Sequence, residues 1–203
     1  MSLPARSEER LPIEFAEEEQ SLRVTGFWLF LITDLLIFAS LFSSYAVYVP
    51  MTAGGPTPMG LFHLGPVLIE TLALLTSSFT VGVAIWAMRR GQISLLRYAL
   101  VVTLLLGAVF VGLELHEFVL DVAQGAGWQR SAFLSSFFLL VATHGAHVSF
   151  GILWAIALLF QLARHGLTAV TSRKLYTFAL YWHFLDIVWV CIFTFVYLIG
   201  KVS

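Results

Sequence analysis

Five long apolar runs, at about residues 24–49, 64–88, 96–119, 132–162 and 177–200, fill most of the chain, and each carries an ionisable side chain within it. A helix rising 1.5 Å per residue needs about 20 apolar residues to cross a bilayer, so every run is long enough to span one. Only 11% of residues are charged and 59% are hydrophobic, whereas a soluble domain carries about 25% charged residues. The reading is an all-α integral membrane protein, a bundle of five transmembrane helices. Residues 1–23 form a polar tail and residues 24–203 a single five-helix domain. Cys191, the one cysteine, lies in the last run, which excludes an intrachain disulfide and a CxxC metal site.

The loops set an orientation. Nine Lys and Arg residues flank the membrane on one side, in the N-terminal tail and the second and fourth loops, against two on the other. The positive-inside rule then predicts a cytoplasmic N-terminus and, with an odd number of spans, a periplasmic C-terminus. A net charge of −1, with its basic residues beside the membrane, provides no nucleic-acid surface. His63 and His165 fall in loops and are read as solvated.

The intramembrane acids constrain the interior. Asp34, Glu70, Glu114, Glu117 and Asp186 lie inside the runs. An acid at the centre of a spanning helix costs about 2.5–3.5 kcal/mol on insertion scales, so the set is expected to face protein, lipid headgroup or water. Helical spacing lines up one polar stripe per span. Glu70, Leu74, Ser77 and Val81 share a face, as do Thr103, Gly107, Phe110, Glu114 and Glu117. Ser136, Thr143, His147 and Gly151 do likewise, with His144 beside them, and the last run aligns His183, Asp186, Val190, Thr194 and Tyr197. The stripes are expected to meet inside one bundle. By depth they divide into an outer set around Glu70 and Glu114 and an inner set around Asp34, His183 and Asp186.

Six histidines and several buried acids invite a metal reading. Di-iron bundles place paired Glu-x-x-His motifs on facing helices, and no span contains one. Glu114-Leu-His116-Glu117 has the wrong spacing, because neighbouring residues point to different faces. His144-Gly-Ala-His147 and His183-Phe-Leu-Asp186 each place two potential ligands on one face, yet neither is a complete site. No metal site and no catalytic centre is assigned. An independent metal-dependent membrane oxidase is kept as a rival class. A transporter built from repeats is disfavoured, since no internal repeat or broken helix is present.

Taken in order, FWLFLITDLLIFASLF, IETLALLTSSFTVG, GLELHEF, THGAHVSFGILW and YWHFLDIVWVCIFTFVYLIG resemble subunit III of the haem–copper respiratory oxidases, from Gly26 onward. TAGGPT, the VLIET context of Glu70 and RHGLT look most like the cytochrome o ubiquinol oxidase branch; the cytochrome c oxidase branch shares the core motifs. The resemblance implies a non-catalytic subunit of a proton-translocating ubiquinol oxidase in a bacterial inner membrane. It implies subunits I, II and IV, ubiquinol and oxygen as partners of the complex. It places haem and copper in subunit I, leaves this chain without a cofactor and expects bound phospholipid. It makes Glu70, Asp34, Glu114 and His147 candidates for lipid- or proton-related roles, supporting oxygen or proton access. Glu117, His116, His144, His183 and Asp186 become a structural polar network. Asp34 stands where many relatives carry glutamate, which keeps the acid and shortens its reach.

Overall fold

The structure, a computed structural model, describes residues 13–62 and 64–202, with side chains described from residue 25 to residue 201 other than 63. Residues 1–12 of the polar tail and His63 lie outside the described residues. Among those described, every regular element is helical: α1 (Ile13–Tyr48), a short α2 (Pro58–Leu61), α3 (Leu64–Arg89), α4 (Ile93–Ala123), α5 (Ala132–His165) and α6 (Ala169–Ile192). A π-helical segment, Phe193–Leu198, and a short α7, Ile199–Val202, complete the chain. Among the described residues five helices are long and apolar enough to cross a membrane. Helices suit that solvent because each satisfies its own backbone groups where no water is present to do so.

The helices overrun the apolar runs. α1 begins at Ile13, inside the polar tail, and α4 continues to Ala123, which brings Asp121 into its last turn as a further buried acid. The chain divides into two units within α1, one up to Leu36 and one from Ile37 onward. In the first, the Thr33 hydroxyl donates back to the Leu29 carbonyl at 3.0 Å.

The second unit is built around α3, α4, α5 and α6. α3 and α4 form a hairpin through Gly91, whose φ of +68° lies in the left-handed region that glycine enters without a Cβ penalty. Across the hairpin the Thr80 and Thr103 hydroxyls meet at 2.7 Å. α5 is capped by the Ser131 hydroxyl, which accepts from Leu134 N, and ends at Gly166 with φ +66°. Arg97 Nη2 donates to the Leu162 carbonyl in the last turn of α5 at 3.1 Å, where unpaired carbonyls favour a cation.

Two tryptophans of α6 hold the unit together. Trp182 Nε1 donates to Ser77 Oγ on α3 at 2.9 Å. Its ring is slotted against two glycines: a Cβ at Gly151 of α5 would lie 2.8 Å from Trp182 Cζ3, and one at Gly107 of α4 3.0 Å from Cη2. Trp189 Nε1 donates to Thr71 Oγ1 on α3 at 3.0 Å and packs edge-on against Phe110 of α4. Small residues that admit a close neighbour, and hydroxyls that bond across helices, are how membrane helices associate without a hydrophobic driving force.

The stripes on α3 and α4 point inward as expected: Glu70, Leu74, Ser77 and Val81 are buried, as are Thr103, Gly107, Phe110 and Glu114. The stripe on α6 does not. Its buried face is Tyr181, Trp182, Leu185, Val188, Trp189 and Ile192, while His183 and Val190 are exposed and Asp186 is half-buried. Large aromatic surfaces gain more from packing than the narrower polar stripe does, so the aromatic face turned in and carried His183 outward. Past α6 the Ile199 N–H reaches the Thr194 carbonyl five residues back, the wider turn of a π-helix. There Tyr197 is buried beside Phe62 and Phe137, and Lys201 Nζ donates to the Met59 carbonyl of α2 at 2.7 Å.

Candidate functional site

Glu70 of α3, Glu114 of α4 and His144 of α5 come from three helices and are all buried, Glu70 and His144 at 0% exposure. Both Glu70 oxygens, Glu114 Oε2 and both His144 ring nitrogens have no hydrogen-bond partner among the described residues. The carboxyls of Glu70, Glu114 and Glu117 are within Coulombic reach of one another, with Asp121 next along α4. The outer set read from the sequence is therefore a real spatial cluster.

Aromatic rings wall the buried histidine. His144 stacks on Trp189 with centroids 5.3 Å apart, meets Phe110 edge-on at 5.6 Å and lies 6.2 Å from Phe38. The Glu114 carboxylate presses against Gly145, where a Cβ would sit 2.5 Å from Oε1, so a larger residue there would push the carboxylate aside. Buried polar groups nearly always have a partner; the described residues supply none to these atoms, a place that water, a shared proton or a ligand can fill. Such a group of acids at membrane depth is able to hold and pass protons or to anchor a polar headgroup.

His147 sits one turn from His144 and is half-buried, its Nδ1 2.7 Å from the Thr143 carbonyl; its own carbonyl accepts from Tyr181 Oη at 3.0 Å. Glu117 is half-buried and His116 exposed, so His116 stands outside the cluster. Asp34 is buried. His183 and Asp186 are neighbours on α6, at another place from the Glu70 cluster, beside Ser78, Gly82 and Trp86 of α3. Asp121 and the two tryptophan ties escaped the sequence reading. Asp121 lay past the expected end of its span, and an indole inside an apolar run gives no sign of which hydroxyl it will find.

Among the described residues no three His, Cys, Asp or Glu side chains are grouped so as to hold a metal ion. The fold and these groups define a class: a multi-pass membrane protein with a cluster of buried acids and a buried histidine enclosed by aromatic rings. A family model described as cytochrome c oxidase subunit III matches residues 16–201, and the chain belongs to that family. It is 49% identical over 189 residues to quinol oxidase subunit 3 of Bacillus spizizenii, covering 93% of each chain. It is 49% identical over 187 residues to cytochrome bo(3) ubiquinol oxidase subunit 3 of Pseudomonas aeruginosa, covering 92% of this chain and 90% of that one. With probable quinol oxidase subunit 3 of Staphylococcus aureus it shares 45% over 194 residues, 94% and 95% of the two chains. The resemblance read from the motifs and these matches agree on subunit III of a haem–copper oxidase.

Proposed function

We propose that this chain is the non-catalytic third subunit of a proton-pumping ubiquinol oxidase of a bacterial inner membrane, with its N-terminus in the cytoplasm and its C-terminus in the periplasm. The observation that carries the quinol branch is the near full-length similarity to chains named quinol oxidase subunit 3. On this reading subunit I holds the haem and copper and oxidises ubiquinol with reduction of oxygen to water, subunits II and IV completing the complex. This chain stabilises subunit I, retains phospholipid and supports oxygen or proton access. The buried Glu70 and Glu114 carboxyls, without a hydrogen-bond partner among the described residues for either Glu70 oxygen or for Glu114 Oε2, support the last role, since they offer proton-exchanging groups behind an apolar wall.

Affinity purification through a tag on this chain tests the reading. The expected product is a multi-subunit complex with a haem spectrum that consumes oxygen with ubiquinol. Turnover with reduced cytochrome c instead of quinol would move the chain to the cytochrome c oxidase branch. Purification of the chain alone, with stoichiometric iron or copper, would replace the reading by an independent metal-dependent oxidase.

A further inference from the structure

One end of the second unit carries positive charge without acids beside it. Residues 89–98 and 161–176, which join α3 to α4 and α5 to α6, hold Arg89, Arg90, Arg97, Arg164, Arg173 and Lys174 and not one Asp or Glu. The structure draws the two segments into one surface. Arg89 Nε donates to Tyr176 Oη at 2.9 Å, and Arg97 reaches the last turn of α5. Among the described residues these cations rest on neutral groups: Arg90 over the Trp86 ring, Arg164 over the Phe160 ring and Arg173 on the Ala169 carbonyl. Neutral partners orient a cation and leave its charge uncompensated.

A cavity of about 340 Å³ opens in this surface between the end of α5 and the start of α6. It is lined by Gln161, His165, Thr168, Val170, Thr171 and Lys174, so five of its six side chains can donate a hydrogen bond and none is a carboxylate. Lys174 Nζ gives one N–H to Gln161 Oε1 at 2.9 Å, and an ammonium has others to give. Thr171 is 6% exposed. Its hydroxyl lies 3.0 Å from that of Thr168, whose oxygen also accepts the Thr171 N–H. A bond between two hydroxyls uses the hydrogen of one, so that of the other stays available. Thr168 also caps α6, and the backbone N–H groups of that first turn add to the positive field.

Depth selects the ligand. One span, Ala132–His165, closes at the cavity, and the next, Ala169–Lys201, begins four residues later. The cavity therefore stands at the edge of the hydrocarbon, the level of lipid headgroups. By the charge rule this is the cytoplasmic face, whose leaflet carries anionic lipid, and basic pockets between spanning helices there take phosphate headgroups. A phosphate presents acceptor oxygens on several sides, which suits donors arriving from two helices and the turn between them.

We propose that the α5–α6 cavity is a phosphate site, in which Lys174, His165 and the Thr168–Thr171 hydroxyl pair hold the headgroup phosphate of an anionic phospholipid. The proposal rests on the reading of this chain as one that retains phospholipid, and it says where one such lipid is held.

The complex, purified through a tag on this chain and stripped of lipid with detergent, is titrated with short-chain phosphatidylglycerol and, separately, with inorganic phosphate. Lys174 is exposed, so its replacement leaves the packing intact. Lys174→Gln is expected to weaken phosphatidylglycerol binding about ten-fold, the loss of one charge-assisted hydrogen bond, and Lys174→Arg to stay close to wild type. Arg90→Gln removes the same charge from the same end outside the cavity and is expected to leave binding unchanged, because salt screens an exposed charge. Haem per tagged chain should be the same in all three. Unchanged binding in Lys174→Gln overturns the proposal, as does an equal loss in Arg90→Gln, which would make the attraction a diffuse surface effect. Inorganic phosphate that binds as tightly as the lipid, with the same dependence on Lys174, would uphold the phosphate site and make the free ion its source. Displacement of the lipid by a glutamate-rich peptide and not by phosphate would overturn it in favour of an acidic protein segment. A tagged chain that brings no haem-bearing subunit sinks the subunit III reading, while the titration still decides this one.

Discussion

A polar side chain at bilayer depth has to find its hydrogen bonds within the protein, and Trp182 and Glu70 meet that demand in opposite ways. Trp182 has a dedicated acceptor in Ser77 and two glycine seats. Replacing it with phenylalanine removes the indole donor, leaves the Ser77 hydroxyl only its bond to the Leu74 carbonyl and empties part of the slot, which is expected to cost about 1–3 kcal/mol. Thermal unfolding of the purified complex measures it; an unchanged midpoint would show that the tie contributes nothing. Gly151→Ala acts from the other side, driving a methyl into the indole, and should cost about 1–3 kcal/mol by overpacking, readable in the same melt. Glu70 has no hydrogen-bond partner for either oxygen among the described residues. Glu70→Gln keeps its shape, so the complex should retain full haem while losing bound phospholipid or durability during turnover. Haem loss in that variant would make Glu70 a structural residue.

At the scale of elements, the α3–α4 hairpin depends on one backbone conformation. Gly91 sits at φ +68° with open space around it, so Gly91→Ala tests strain alone. It should destabilise the protein by about 1 kcal/mol, with Gly91→Asn milder, because asparagine tolerates the left-handed region. Equal melting of both variants and wild type would show that the turn relaxes. α6 shows where reading from sequence stops. Its helical character and its place in a span were legible from apolar length, and the polar spacing of His183 and Asp186 was correctly on one face. The direction of that face was not legible, because the competing face carries Tyr181, Trp182 and Trp189, whose partners Ser77, Thr71 and the His147 carbonyl belong to other helices. In α3 the polar stripe went inward although Phe79 and Trp86 stand on the outer face, and in α4 Phe110 lies on the polar stripe and went in with it.

At the scale of the whole molecule the membrane topology is testable with single cysteines. With the sole native cysteine removed as Cys191→Ser, a cysteine at Arg90 should react with an impermeant maleimide only from the cytoplasmic side, and one at Gln129 only from the periplasmic side. The reverse pattern would invert the proposed orientation. The number of spans, the membrane setting and the family were all present in one dimension. Hydrophobic length adds up residue by residue along the chain, and the family motifs are contiguous strings. The meeting of Glu70 with Glu114 and the slot that closes on Trp182 came only with the tertiary structure. Each depends on shapes brought together from separate helices, and a helix's own spacing states which residues share a face but not what stands opposite it.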